Sequence, residues 1–208
     1  MTVPNRIEAC RLLLSLDPPQ WALRHARAVA EVAGWLAARI TDAGTPVDVR
    51  VVEAAALLHD VDKLLPSTAP ERALPNGDGS AAWLAARGHP ELGRSVANHP
   101  VTKLRDGLHY RRWSAFASRE ERIVAYADKR AGQRLEPMSE RFASWGRRYP
   151  DRPGWDAEVR ATIEARARRL EADVCRAARI EPSEVNRLPW TARALAAAGR
   201  PSGAAVRE

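Results

Sequence analysis

Cysteine is nearly absent: Cys10 and Cys175 are the only two among 208 residues. Each sits inside a helical pattern, and two are too few for a thiolate zinc site, so no disulfide is expected and any metal must be held by His and carboxylate. No run of 18 apolar residues occurs, and the opening Met-Thr-Val-Pro-Asn-Arg lacks the charged-then-apolar order of a secretory signal. A soluble, cytoplasmic protein with no membrane role is therefore expected. Lysine is scarce too, with Lys63, Lys103 and Lys129 set against a large excess of arginine. The net charge of +7 would ordinarily suggest a polyanionic partner. An Arg-for-Lys bias with abundant Ala is also what a GC-rich genome yields without selection, so the charge weakly supports an anionic substrate and hardly supports nucleic acid.

Sustained strand alternation is missing as well, and apolar residues recur at helical spacing nearly throughout, so the chain reads as all-α. A short helix is expected over Asn5 to Leu16, stopped by Asp17-Pro18-Pro19. A longer one, Gln20 to Ala43, places Trp21, His25, Val29, Val32 and Leu36 along one stripe, with His25 facing inward among core residues. Asp48 can cap a central helix running to about Asp62. A Pro/Gly/Asn/Asp-rich loop, Pro66 to Gly79, precedes helices at Ser80 to Arg87 and Glu91 to His99. Thr102 to Ala117 reads as a second long loop, of a length suited to a lid. Ser118-Arg-Glu-Glu121 is a capping box opening the helix that carries Asp128 on its apolar face. Beyond Pro137 come a helix to about Tyr149, a break at Pro150 to Gly154, a long Arg/Glu-rich helix from Trp155 to about Ile180, and short helices with an Ala/Gly/Pro tail.

The central helix is too apolar on every side for a surface position, and it ends on His59-Asp60. Burying an imidazole and a carboxylate side by side is costly unless both are hydrogen-bonded, paired or metal-bound. With His25 and Asp128 they form an inward-facing set drawn from three helices. Imidazole nitrogen and carboxylate oxygen suit divalent manganese, iron, zinc or cobalt. Four protein ligands leave positions for water and substrate, giving a nucleophile near neutral pH and a polarised phosphoryl oxygen.

These residues resemble the HD superfamily of metal-dependent phosphohydrolases, whose signature is a His, a His-Asp doublet and a distant Asp on a helical bundle. The resemblance spans about residues 20 to 150. Lys63 stands as in the His-Asp-x-x-Lys version, where it would contact substrate phosphate. Ala127-Asp128-Lys129 followed by Arg134 resembles the HDIG branch that includes bacterial symmetrical dinucleoside tetraphosphate hydrolases. The resemblance implies an HD-type helical bundle over 1–150, with accessory C-terminal helices and tail over 151–208, where a homo-oligomer contact has room. It also implies a nucleotide-type or small phosphate ester or anhydride as substrate, with His25, His59, Asp60 and Asp128 holding the metal, Asp60 orienting a metal-bound water, and Lys63 and Arg134 neutralising phosphate charge.

The chain departs from that branch twice. Asp62 stands where Gly usually follows, which alters a turn rather than the ligand set. Asn76 stands where dinuclear members carry a second-metal histidine, leaving His99, Asn76 and Asp78 as candidates for a second metal or a phosphate contact. His89 is an unsuitable substitute, since a Glu91-to-His99 helix of about 12 to 13 Å would separate it from His99. His109, with Arg111, Arg112 and Trp113, reads as an amphipathic surface segment in preference to a base-gripping loop. The arginines from Arg160 to Arg169 read as a solvated face, and the seven tryptophans as packing residues. A catalytically weakened metal- and nucleotide-binding sensor, and a basic nucleic-acid-binding helical protein, remain as alternatives. The absence of a Gly-Tyr-Pro motif argues against cyclic dinucleotide hydrolysis.

Overall fold

The computed structural model describes residues 3–149 and 153–200. The break expected at Pro150 and the tail beyond Arg200 fall wholly or partly outside them. Among the described residues there are ten α-helices and five short 3-10 turns. The one β pairing among them is an isolated bridge between Ala131 and Leu135, so the all-α reading holds.

Side-chain caps fix the starts of five of the ten α-helices. Asn5 and Glu8 form a reciprocal capping box on α1, Arg6–Leu14. The α2 helix, Gln20–Asp42, starts behind Pro18-Pro19. Asp48 caps α3, Val49–Leu58, by accepting from the Val51 N–H. The Ser118/Glu121 capping box opens α7, Arg119–Arg130, satisfying two otherwise orphaned donors. The α3 helix is buried along Val52–Leu58 and packs against α1, α2 and α7. This makes α3 the central rod, and its C-terminal end delivers His59 and Asp60 to the junction of α2, α3 and α7. A 3-10 turn, Val61–Leu64, takes the chain away at once.

Between α3 and α7 lie α4, Asp78–Ala86, and α5, Gly93–Ala97. The expected Glu91-to-His99 helix is shorter, because a 3-10 turn occupies Pro90–Leu92. Asp62 explains part of this layout. Its carboxylate accepts from the Gly77 N–H, its own N–H donates to Ser80 Oγ, and its carbonyl accepts from Arg72. The acid that replaces the usual glycine thus pins the loop to the start of α4.

The long loop expected at Thr102 to Ala117 is a correction: it is helical, with a 3-10 turn at Val101–Leu104 and α6 over Gly107–Phe116. Asp106 caps α6 by accepting from Leu108 and His109, Trp113 is buried, and the Arg166 guanidinium stacks 4.8 Å from the Tyr110 ring centroid. A segment held this way is not a lid.

Three further helices follow: α8, Met138–Arg148, α9, Ala157–Ala178, and α10, Thr191–Ala198. The α9 helix lies against α2 and α7, and α10 against α1. Glu31, buried in α2, accepts from Arg187 and from Thr191 Oγ1, tying the approach to α10 onto the bundle. The face from Arg160 to Arg169 is only partly solvated, since Arg166 donates to the Leu104 and Arg105 carbonyls and Arg160 to those of Trp155 and Tyr149. No helix among the described residues is long and apolar enough to cross a membrane.

Candidate metal centre

His25 projects from α2, His59 caps the end of α3, Asp60 follows it, and Asp128 projects from the last turn of α7. The structure gathers all four, and His99, from just after α5, joins them. Two overlapping groups share His59: His25, His59 and Asp128, and His59, Asp60 and His99. Within each, the candidate ligand atoms lie within 4.8 Å of one another.

Each imidazole is oriented in the same manner. The Nδ1 of His25 lies 2.7 Å from the Gly132 carbonyl, that of His59 2.7 Å from the Ala56 carbonyl, and that of His99 2.6 Å from the Val96 carbonyl. A carbonyl can only accept, so Nδ1 is the protonated nitrogen in all three rings and the Nε2 lone pairs turn toward one another. A backbone carbonyl on the outer nitrogen is the usual way a protein presents imidazole to a metal.

The inward atoms are closely spaced. His25 Nε2 and His59 Nε2 are 3.1 Å apart, and His25 Nε2 lies 3.5 Å from Asp60 Oδ2 and 3.4 Å from Asp128 Oδ1. His59 Nε2 is 3.4 Å from Asp60 Oδ2, and His99 Nε2 is 3.3 Å from Asp60 Oδ1. Two facing lone pairs at 3.1 Å repel unless a proton or another cation lies between them. Burial works against charge on His25, yet Asp128 and Asp60 overcome it and raise its pKa to about 9. Burial likewise opposes ionisation of Asp60 and Asp128, and the surrounding imidazoles nonetheless hold both well below the usual carboxylate range. His99, fully enclosed, is pushed down by burial. The pocket therefore keeps both carboxylates ionised despite their burial. Asp60 Oδ1 is buried without a hydrogen-bond partner, a costly state that coordination of a cation would relieve. The donor set and this orphaned oxygen fit a borderline divalent metal.

The cluster opens into a cavity of about 1500 Å³ whose walls include Trp21, Lys63, Asn76, Arg134, Phe142 and Trp145. Lys63 Nζ donates to Asp60 Oδ2 at 2.7 Å, so it already touches the cluster. Arg134 is exposed on the cavity wall. Asn76 also lines the cavity, and its Oδ1 is buried and unpartnered. Asp78 is turned elsewhere, with both oxygens accepting from Lys103 Nζ at 2.9 Å. His89 pairs with Glu91 at 3.6 Å and stays out of the cluster. His109 is on α6, away from the cavity lining. Trp21, expected in the core stripe, is 48% exposed, and with Trp145 and Trp155 it lines the cavity. Trp83, Trp113 and Trp190 are buried packing residues, and Trp35 packs partly buried against the core.

With this geometry in view, the HD-domain family model matches residues 22–132. The chain belongs to the HD-domain family. HD domains are generally metal-dependent phosphohydrolases, and the match begins on α2 just before His25 and ends at Gly132, whose carbonyl orients that histidine. It thus contains every residue of the cluster, whereas α8 and α9, which complete the cavity, lie beyond it. No curated protein and no solved structure gives a significant match to this HD protein.

Sequence reasoning missed one residue of note, Arg141. It is buried and lines the cavity, but it belongs to no spacing pattern, and only its three-dimensional surroundings mark it.

Proposed function

We propose that the protein is a metal-dependent phosphohydrolase acting on a nucleotide-type substrate, with His25, His59, Asp60 and Asp128 holding the essential divalent transition ion. The observation that carries this reading is the convergence of imidazole Nε2 atoms, each backed by a carbonyl on Nδ1, onto two ionised carboxylates. When bound, the ion supplies Lewis acidity toward a phosphoryl oxygen and lowers the pKa of water.

The chain's own residues do the remainder. Asp60 has its Oδ2 in contact with Lys63 and its Oδ1 free of hydrogen bonds, so it can accept from the attacking water while Lys63 neutralises phosphate charge. Arg134 reaches the same cavity from beyond α7. The aromatic rings of Trp21, Phe142 and Trp145 on that wall suit a base, which favours a nucleotide over a simple phosphate ester. His59 has a single inward lone pair, because its other nitrogen is committed to Ala56. It can serve one ion only, which supports one tight ion. A second would have Asp60 Oδ1, His99 and Asn76 as its protein donors. Ala127-Asp128-Lys129 with Arg134 supports the HDIG branch, and a soluble cytoplasmic setting accords with a small phosphorylated substrate.

The test is hydrolysis of nucleotides, dinucleoside polyphosphates and cyclic nucleotides under manganese, iron, cobalt or zinc, with Asp60→Asn alongside. Turnover by the wild type and none by the variant is expected. Turnover that survives in Asp60→Asn, or that ignores chelation, would refute the proposal.

A further inference from the structure

Arg141, in the first turn of α8, is 8% exposed. Its guanidinium lies 4.6 Å from the Trp145 ring centroid, and its Nε is buried with no hydrogen-bond partner. No carboxylate among the described residues forms an ion pair with it, although Glu136 borders the same space. Arginine stays charged in proteins; the Glu136 carboxylate flanks the same Gly132 position without a direct ion pair, so this enclosed cation keeps an unpartnered donor that a ligand can satisfy. Its position narrows the partner. A Cβ on Gly132 would sit 3.4 Å from Arg141 Nη1, and the Gly132 carbonyl accepts from His25. One glycine therefore separates the guanidinium from the metal cluster, and both face the same cavity.

We propose that Arg141 is a phosphoryl-binding residue that receives the phosphate group next to the one being hydrolysed, so that the site selects substrates with at least two linked phosphoryl groups over monoesters. The identity of the anion rests on the phosphohydrolase reading above; the existence of the anion site does not. A planar guanidinium offers two parallel N–H donors to a tetrahedral oxyanion. Stacking on Trp145 fixes the plane of that fork and leaves its edge for the ligand. The cluster beside His25 takes the neighbouring group, with Gly132 as the spacer between the two subsites. This subsite lies on α8, beyond the residues that the family model matches.

The test is titration calorimetry of methylenediphosphonate, a non-hydrolysable diphosphate, and of inorganic phosphate into the as-purified full-length protein. Arg141→Gln and Arg141→Lys are measured in parallel, with metal content verified equal. Arg141→Gln is expected to weaken diphosphonate binding at least about 10-fold and phosphate binding less than about 3-fold. It should leave Tm unchanged or higher, since it removes a buried charge that carries an unpartnered donor. Arg141→Lys keeps charge but loses the fork and should be intermediate, and it carries the comparison if the glutamine variant fails to fold. Equal diphosphonate affinity in wild type and both variants, equal loss for the two ligands, or no diphosphonate binding by the wild type would overturn the proposal. If diphosphonate binding depends on Arg141 while no substrate is turned over, the anion site stands and the hydrolase reading falls.

Discussion

The cavity has two unlike walls. On the side of α2, α3 and α7, each imidazole is doubly determined: it is anchored through Nδ1 to a carbonyl and faces a carboxylate through Nε2. On the side of α8, the arginine is held by stacking and burial, with its polar edge unsatisfied. Over-determination suits a group that must keep its position to better than an ångström through a reaction. An incomplete set of hydrogen bonds suits a group that waits for a ligand. Under the proposed function, chemistry falls to the first wall and recognition to the second.

The largest expected effect breaks the first wall alone. Asp60→Asn should lower kcat by at least about 100-fold and strip the tightly held ion, while a fluorescent nucleotide analogue still quenches Trp145 on the other side. Chelation of the wild type should have the same effect on turnover and also lower Tm. At an ion concentration of 100 Kd the bound form gains roughly 2.7 kcal/mol, which a melting curve with and without metal will show. Next in size is a change confined to the second wall. Trp145→Ala removes the platform under Arg141, and KM should rise about 10-fold with kcat and metal content little altered. A fall in kcat with unchanged KM would merge the two walls into one functional unit. A smaller effect is expected at the loop between α3 and α4. Asp62→Ala frees the Gly77 N–H and should cost about 1 to 3 kcal/mol of stability, read as a lower Tm, with metal content kept. Smallest of all, neither wall should respond to thiol reagents. Burial pushes Cys10 up to about 12 and also raises Cys175. A group with a raised pKa ionises only above it, so both thiols stay protonated and unmodified near pH 8, and a mass spectrum of the treated native protein should be unchanged.

The same contrast governs what could be read from the chain. The first wall was legible because its elements carry local signals: the Asp48 cap, the Ser118/Glu121 capping box and an apolar helix ending on His59-Asp60. Its candidate ligands sit on the inward faces or ends of those helices, in an order that resembles the HD signature. The helix over Gly107–Phe116 was hidden because its polar and aromatic residues resemble a loop, and its order comes from Asp106 capping, burial of Trp113 and the Arg166–Tyr110 contact. Trp21 shared the helical phase of core residues, and only the opening of the bundle beside it turns that face into a cavity wall. Arg141 carried no signal at all. Among thirty arginines nothing local separates a solvated one from a buried one, and the distinction appears only when its missing partner can be seen.

The most direct test of the central claim is X-ray absorption spectroscopy at the metal edge of the purified protein. Convergent Nε2 atoms predict a nitrogen and oxygen first shell with the multiple-scattering signature of two or more imidazoles, diminished in His59→Ala. A protein that turns over substrate with no bound metal, or whose metal shows no histidine scattering, would contradict the account.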